Sequence, residues 1–493
     1  MQNIARARTG IQGLDDVLLG GLTRHHVYLV EGMPGTGKTT LALKFLLQGM
    51  KEGEKTLYVT LSESMDELHS VADSHGWDLS EMPIVEVTPV EASIGPEEQY
   101  TVFHSDEVEM AETVKLILDR VEQEAANRVV IDSMAEMRLL SRDSVRYRRQ
   151  ALALKQHFTR RQITVLLLDD RTSERADHQM HSMVHGVISL ERLRREYGKN
   201  RRRLEVTKMR GSEYLEGYHD YSIQSGGIVV FPRFIPVHDD KPIERGTISS
   251  NMKGLDDLLG GGLDRGSSTL VLGPAGSGKT TLTLKYAVAA INRSEPVAVY
   301  TFDEGVTSLL NRGDGLGMNL TEHLRQKRIT IEQVNPAELS PGDFAWRVRR
   351  SVEQDHAQVV VIDSLNGYLT AMPEEEFLSL QMHELLNYLN ERGVVTILIL
   401  AQQGVLGSMQ SSIDLSYLAD SIILLRFFEA AGHVRRAISV VKKRSSRHEQ
   451  TIREFNIGLP DGVQIGEPLT EFQGVLSGLP QFTGNPRDLK QSK

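Results

Sequence analysis

Hydrophobic and polar positions along the chain trace one pattern twice. In the first half, Val27–Glu31, Thr56–Leu61, Arg128–Ile131 and Ile163–Leu168 are apolar runs of strand length. Helices are expected between them: from about Lys38 through Leu41, Leu43, Phe45, Leu46 and Leu47, over Met65–Asp73, and over Arg148–Arg160 with a basic solvent face carrying Arg149 and Arg160, followed by Arg161. The second half has matching runs at Thr269–Leu272, Val297–Phe302, Gln358–Ile362 and Val394–Leu400, with helices near Thr280–Ile291 and Glu375–Glu391. Continuous apolar strands alternating with helices imply an α/β fold with a mainly parallel sheet covered on both faces. Each half then turns β-rich, over Gly186–Leu190, Arg203–Lys208 and Tyr218–Ile223 in one, and over Ser421–Arg426, Ala437–Lys442 and Thr451–Phe455 in the other.

The repetition is also literal. GMPGTGKT at Gly32–Thr39 recurs as GPAGSGKT at Gly273–Thr280, an offset of 273 − 32 = 241. Gly13-Leu14-Asp15-Asp16 recurs as Gly254-Leu255-Asp256-Asp257 at the same offset, and Leu22 and Arg24 recur as Leu263 and Arg265. An apolar run ending in Asp-Ser follows each loop, at Val129–Ser133 and Val359–Ser364, where the offset has fallen to 363 − 132 = 231. About ten extra residues are therefore expected in the first copy, in the polar stretch Pro89–Ser105. Phe231–Pro242, with three prolines and two aspartates, reads as a linker. The expected domains are 1–236 and 237–465, with a flexible tail rich in Gly, Pro and polar groups over 466–493.

Composition narrows the class. A chain of 493 residues with 25% charged and 40% hydrophobic residues suits two globular domains. Apolar runs such as Val394–Ala401 are too short to span a bilayer, and the N-terminus lacks the apolar core of a signal peptide. The absence of cysteine excludes disulfides, thiolate zinc sites and catalytic thiols. A cytoplasmic protein without membrane association is expected. The net charge of −10 argues against broad electrostatic binding to nucleic acid, although Arg192–Arg210 gathers nine basic residues against Glu196 and Glu205.

Both octapeptides match G-x-x-x-x-G-K-[ST], in which glycines let backbone N–H groups point at phosphate oxygens at the start of a helix. Nucleotide binding is accordingly expected at Gly32, Gly35, Thr36, Gly37, Lys38, Thr39 and Thr40, and at Gly273, Gly276, Ser277, Gly278, Lys279, Thr280 and Thr281. Lys38 and Lys279 should reach the β- and γ-phosphates of ATP. Thr39 and Thr280 should ligate Mg²⁺, with Asp132 and Asp363 closing the neighbouring strands as metal partners; a capping or turn Asp is the bland alternative. Hydrolysis also needs a group that orients or deprotonates water. Ser62-Glu63 and Asp303-Glu304 stand at equivalent places past the second strand of each half, since 303 − 62 = 241. One carboxylate should face the first site and two the second, unless these are solvated loop carboxylates.

Together with Lys208-Met209-Arg210-Gly211, these motifs make the chain resemble the KaiC family of tandem ATPases and autokinases, from about Thr9 to Phe455. The resemblance implies two RecA-like domains stacked as two rings of a homohexamer, with ATP between subunits. It implies that Glu63 and the pair Asp303 and Glu304 are the catalytic carboxylates, with Ser62 and Asp303 departing from the family's usual Glu. It further implies that Lys208 and Arg210 reach a neighbour's nucleotide, that Ser74, Met209 and Ser212 fall at nucleotide-contacting positions, and that Lys442 and Arg444 serve the second ring, where Lys443 and Ser445 replace Met and Gly. Ser416 aligns with one of the family's phosphorylation sites, Tyr417 stands where a second acceptor threonine would be, and Ser411 aligns with a nearby threonine. The implied function is a nucleotide-driven signalling or timing oligomer with Ser/Thr autokinase activity at Ser416. The stretch Ile465–Lys493 is unlike the clock proteins' partner-recruiting end, so no such partner is implied.

Two other functions fit the same core. A DNA-acting motor of the recombinase type would use Arg171–His185 and Gln402–Leu418 to line a channel, but the second segment has no Lys or Arg. A nucleotide-gated scaffold with little turnover is the other, given Ser62. His178, His181 and His185 have ligand-like spacing, yet no further ligand set accompanies them, and no metal site is read there.

Overall fold

The computed structural model describes residues 5–87, 105–141, 143–171, 178–195, 197–234, 246–370, 378–402, 417–430, 432–458, 462–476 and 480–484. The chain divides into two compact units, Met1–Arg233 and Phe234–Lys493. Each is built on one nine-stranded sheet. In the first the strands are β1 (Val27–Gly32), β2 (Thr56–Thr60), β3 (Ile84–Glu86), β4 (Arg128–Asp132), β5 (Thr164–Asp170), β6 (Gly186–Leu193), β7 (Arg201–Met209), β8 (Tyr218–Gln224) and β9 (Gly227–Phe231). In the second they are β10 (Ser268–Gly273), β11 (Val297–Thr301), β12 (Ile329–Gln333), β13 (Val359–Asp363), β14 (Val395–Ala401), β15 (Ser421–Ala430), β16 (His433–Lys443), β17 (Arg453–Gly458) and β18 (Gly462–Pro468).

The spatial orders are β3-β2-β4-β5-β1-β6-β7-β8-β9 and β12-β11-β13-β14-β10-β15-β16-β17-β18, so the two sheets are copies. The first six strands of each order are parallel and the last three antiparallel, which makes both units RecA-like. Period-two alternation explains the two-sided core. Tyr28 and Val30 of β1 pack with Leu41, Phe45 and Leu46 of the helix Lys38–Lys51. Val27 and Leu29 pack on the opposite face with Ile117 of the helix Ser105–Glu124 and with Leu154 and Phe158 of the helix Ser144–Arg160. In that last helix Arg149 and Arg160 are exposed, as its amphipathic pattern requires.

Several elements depart from the expectations, among them the helices Ser105–Glu124 and Pro341–Glu353 and the strands β9 and β18, for which no expectation was drawn. The edge strands β3 and β12 were not expected, because the first is only three residues long and the second is mostly polar. Glu86 pairs with Thr60, and Gln333 with Thr301, so the offset there is 333 − 86 = 247. It is 231 at Asp132 and Asp363, so the first copy carries 247 − 231 = 16 extra residues between these strands and six fewer before them. The stretch 88–104 itself lies outside the described residues. The boundary expected at 465/466 falls inside β18, and Val475, 1% exposed, packs with Phe428, Ala430 and Ala437. Apolar burial therefore orders this part of the presumed tail.

The repeated Gly-Leu-Asp-Asp entry proves architectural. Asp15 accepts hydrogen bonds from the backbone N–H and hydroxyl of Thr9, both at 2.8 Å. Asp256 does the same for Ser250, at 2.8 and 2.7 Å.

Candidate nucleotide sites

Both phosphate loops sit at the carboxyl end of the strand between two parallel neighbours, where open α/β sheets present a crevice. Gly35 and Gly37 have φ of 78° and 100°, and Gly276 and Gly278 of 77° and 100°, conformations that favour glycine. A side chain on Gly37 or Gly278 would also collide with Ile223 or Ile457. Gly37 and Gly278 cap the following helices with no side-chain hydrogen bond, whereas the helix Met65–Ser74 has a full Ser64/Glu67 capping box. The first-turn N–H groups of the phosphate-loop helices are thereby kept for an anion.

The loops are held from behind. Thr36 and Ser277 are fully buried, and the Tyr221 hydroxyl donates to the Thr36 carbonyl at 2.6 Å. Thr40 and Thr281 are buried on the third helical position. Lys38 Nζ donates to the Gly32 and Met33 carbonyls at 3.0 and 3.3 Å and pairs with Asp170 at 2.6 Å. Lys279 Nζ donates to the Gly273 and Pro274 carbonyls at 2.9 and 2.7 Å; the position of Asp170 is taken by Ala401.

The metal-binding expectation has matching geometry in the two copies. Thr39 Oγ1 donates to Asp132 at 3.2 Å, and Thr280 Oγ1 to Asp363 at 2.6 Å. Burial raises the pKa of both carboxyls; at Asp132 the Tyr58 and Thr39 hydrogen bonds and the nearby Lys38 oppose this rise. Tyr58, which donates to Asp132 at 2.6 Å, was not foreseen from the sequence; Val299 holds the equivalent place.

The carboxylates past the second strand differ. Thr60 and Thr301 hold the two turns alike, donating to the Glu63 and Glu304 carbonyls at 2.7 and 2.8 Å. The Glu63 side chain then reaches the phosphate loop, accepting from Thr39 Oγ1 at 3.4 Å. Its second oxygen is buried without a hydrogen-bond partner among the described residues. Burial, and next the Asp132 carboxylate, push its pKa up to about 7. In the second unit no hydrogen bond joins either carboxylate to Thr280: Glu304 accepts from Ser308 at 3.0 Å and pairs with Arg312 at 2.7 Å, and Asp303 accepts from Ser364 at 2.5 Å, although both charges act to raise the pKa of the neighbouring Asp363.

The basic motifs are arranged alike. Lys208 Nζ donates to the His181 and Val184 carbonyls, the latter at 2.9 Å, and Arg210 to the Ser182 carbonyl at 2.7 Å. Lys442 donates to the Ala419 carbonyl at 2.7 Å and Arg444 to that of Tyr417 at 3.3 Å. Each pair thus holds the segment leading into the sixth strand of its sheet. Met209 is half-buried, and Ser212 shares a 3.0 Å hydrogen bond with Thr23. Ser74 donates to the Val71 carbonyl of its own helix. Lys443 turns inward to the Leu259 and Gly262 carbonyls. Ser411 and Ser416 lie outside the described residues. Of the three histidines, His181 bonds Glu31 at 2.8 Å, while the ring of His185 packs 3.8 Å from that of His26.

Duplicated phosphate loops on duplicated RecA-like sheets define a tandem P-loop NTPase. Comparison with known families agrees: the KaiC ATPase family model matches residues 7–234 and again 248–470. The chain belongs to the KaiC family of ATPases. It is similar to the circadian clock oscillator protein KaiC of Synechococcus elongatus, 28% identical over 485 residues, which cover 97% of this chain and 92% of that one. It is likewise similar to the circadian clock protein KaiC3 of Synechocystis, 26% identical over 486 residues, covering 97% and 95%. Among the described residues no helix is long and apolar enough to cross a membrane.

Proposed function

We propose that both phosphate loops bind ATP with Mg²⁺, that the protein hydrolyses ATP as a homohexamer, and that the second unit phosphorylates Ser416. The observation that carries the nucleotide-binding core of this reading is the repeated set of an uncapped helix N-terminus, a buried lysine and a threonine bonded to a strand-end aspartate; the hexamer and Ser416 follow from the family resemblance. Two hard oxygen donors per site suit Mg²⁺, which keeps most of its waters; Thr39 with Asp132, and Thr280 with Asp363, would hold it. When bound, it neutralises charge on the β- and γ-phosphates. Lys38 and Lys279 bind the phosphates, and Glu63 orients the attacking water or takes its proton. In the second unit Asp303 and Glu304 would take that part after Glu304 leaves Arg312.

The interfacial part of the proposal rests on Lys208 and Arg210, and on Lys442 and Arg444. Held against backbone carbonyls, they would bring positive charge to a neighbour's phosphates. In the phosphoryl transfer, Ser416 Oγ attacks the γ-phosphorus, the bond to the β,γ-bridging oxygen breaks, ADP leaves and the hydroxyl proton passes to a carboxylate. The relatives' names place them in circadian clocks; for this chain the proposal is a nucleotide-driven signalling or timing oligomer.

The test is native mass measurement with ATP and ADP, followed by incubation with γ-labelled ATP and phosphopeptide mapping. A hexamer with label lost in Ser416→Ala is expected. Turnover without label would reduce the protein to a plain ATPase, and a monomer with full turnover would remove the interfacial role.

A further inference from the structure

The first phosphate loop has a basic neighbour that the second lacks. A methyl group built on Gly35 would lie 3.3 Å from Nη1 of Arg192; one built on Gly276 would lie 4.0 Å from Cζ of Phe427. The two side chains occupy equivalent places, each three residues beyond the partner of Glu31 or Leu272 in the parallel ladder, Ser189 or Leu424. Phe427 is covered by Arg436, whose guanidinium carbon lies 5.6 Å from its ring.

The surroundings of Arg192 lack the charge balance of its neighbours. Arg201 pairs with Asp220 and Arg203 with Glu191, both at 2.7 Å. Arg192 stands directly across the ladder from Arg202, and like charges at facing positions repel. Neither has a carboxylate partner among the described residues. Asn200 fixes the direction of the Arg192 guanidinium: with its amide oriented to satisfy the donors, its oxygen accepts from Nη2 at 2.8 Å and Nε at 3.2 Å. Nη1 is left on the side of Gly35.

We propose that Arg192 is a phosphate-contacting residue of the first site alone, a fixed guanidinium that donates to the phosphate chain of a bound nucleoside triphosphate. A bound anion would relieve the Arg192–Arg202 repulsion, and a planar guanidinium suits phosphate oxygens. The inference rests on nucleotide binding at the first loop.

The test uses the full-length chain with Lys279→Ala, so that only the first site loads, and ATP titrated by calorimetry at two salt concentrations. Arg192→Ala should raise Kd about tenfold, the effect of losing one charged hydrogen bond, and flatten its salt dependence. Arg192→Phe, which copies the second site, should match Ala, and Arg192→Lys should fall between. The exposed side chain predicts unchanged melting in all three. In a Lys38→Ala chain, where only the second site loads, Arg192→Ala should leave Kd unaltered. An unchanged Kd in the Lys279→Ala chain, or equal loss in both chains, overturns the proposal. If the Lys279→Ala chain with Arg192 intact binds no ATP, the nucleotide reading itself fails and takes this inference with it.

Discussion

Two copies of one sheet hold two phosphate loops of the same backbone shape, yet their surroundings differ in kind. At the ends of the strands flanking the first loop stand Glu31, Asp169 and Ser189; Leu272, Leu400 and Leu424 fill the same ladder positions in the second. The first set is a buried polar network. Glu31, 4% exposed, accepts from Ser189 and His181, and Asp169 accepts from Arg138. Burial, opposed by Arg138, pushes the Asp169 pKa up to about 6. Buried carboxylates cost stability unless every oxygen finds a donor, so this network is kept at an expense that the apolar second copy avoids. The two loops share one backbone, and what poises the lysine and the carboxylate lies outside it: Asp170 at a flanking strand end in the first unit, and Arg312 on the helix after the second strand in the other.

The largest test of this contrast is removal of each lysine. Lys38→Ala and Lys279→Ala should each cut ATP stoichiometry from two to one per chain in calorimetry, with affinity at the altered site falling about a hundredfold or more. Loss of both sites from one substitution would show that they do not act separately.

Catalysis should separate the sites next. In a Lys279→Ala chain, Glu63→Gln should lower phosphate release about a hundredfold, because Glu63 already touches the loop threonine. In a Lys38→Ala chain, Glu304→Gln should cost less than tenfold, because Glu304 is turned to Arg312. Equal losses would mean that the carboxylate arrangement does not distinguish the sites.

A smaller effect is expected at Asp170. Nucleotide must compete with it for Lys38, so Asp170→Ala should tighten ATP binding at the first site about three- to fivefold, the scale of a partly exposed ion pair. Ala401→Asp should weaken the second site by a similar factor. Weaker binding in Asp170→Ala would instead make that carboxylate a support of the lysine.

The mildest difference is in acid stability. Burial, followed by His26, Arg210, Lys155 and Lys208, pushes the His185 pKa down to about 4 from 6.5. The unfolded chain then binds this proton more readily than the folded unit. Stability from this group is complete above pH 6.5 and is lost as pH falls from there toward 4. Thermal melts of residues 1–233 within the full chain, followed by hydrogen exchange, should show this slope, and His185→Gln should flatten it. An unaltered slope would assign acid sensitivity to other groups.

The amino-acid sequence by itself determined the duplication, the parallel sheets, the two loops and the threonine and aspartate of each. These are legible because a phosphate loop is a contiguous, locally encoded turn and a buried parallel strand is a continuous apolar run. The helix Pro341–Glu353 carries a local signal of the same kind, a Ser340 cap and a first-turn Pro. Tertiary structure alone decided which carboxylate touches its loop. Glu63 and Glu304 follow equivalent strands and equivalent threonine-held turns, and Arg312, in the second turn of the helix Val306–Gly315, draws only the second away. It also decided the pairing of Lys38 with Asp170 and of Tyr58 with Asp132, partners 132 − 58 = 74 or more residues apart. Such contacts depend on strand register and side-chain rotamer, which a one-dimensional pattern does not carry.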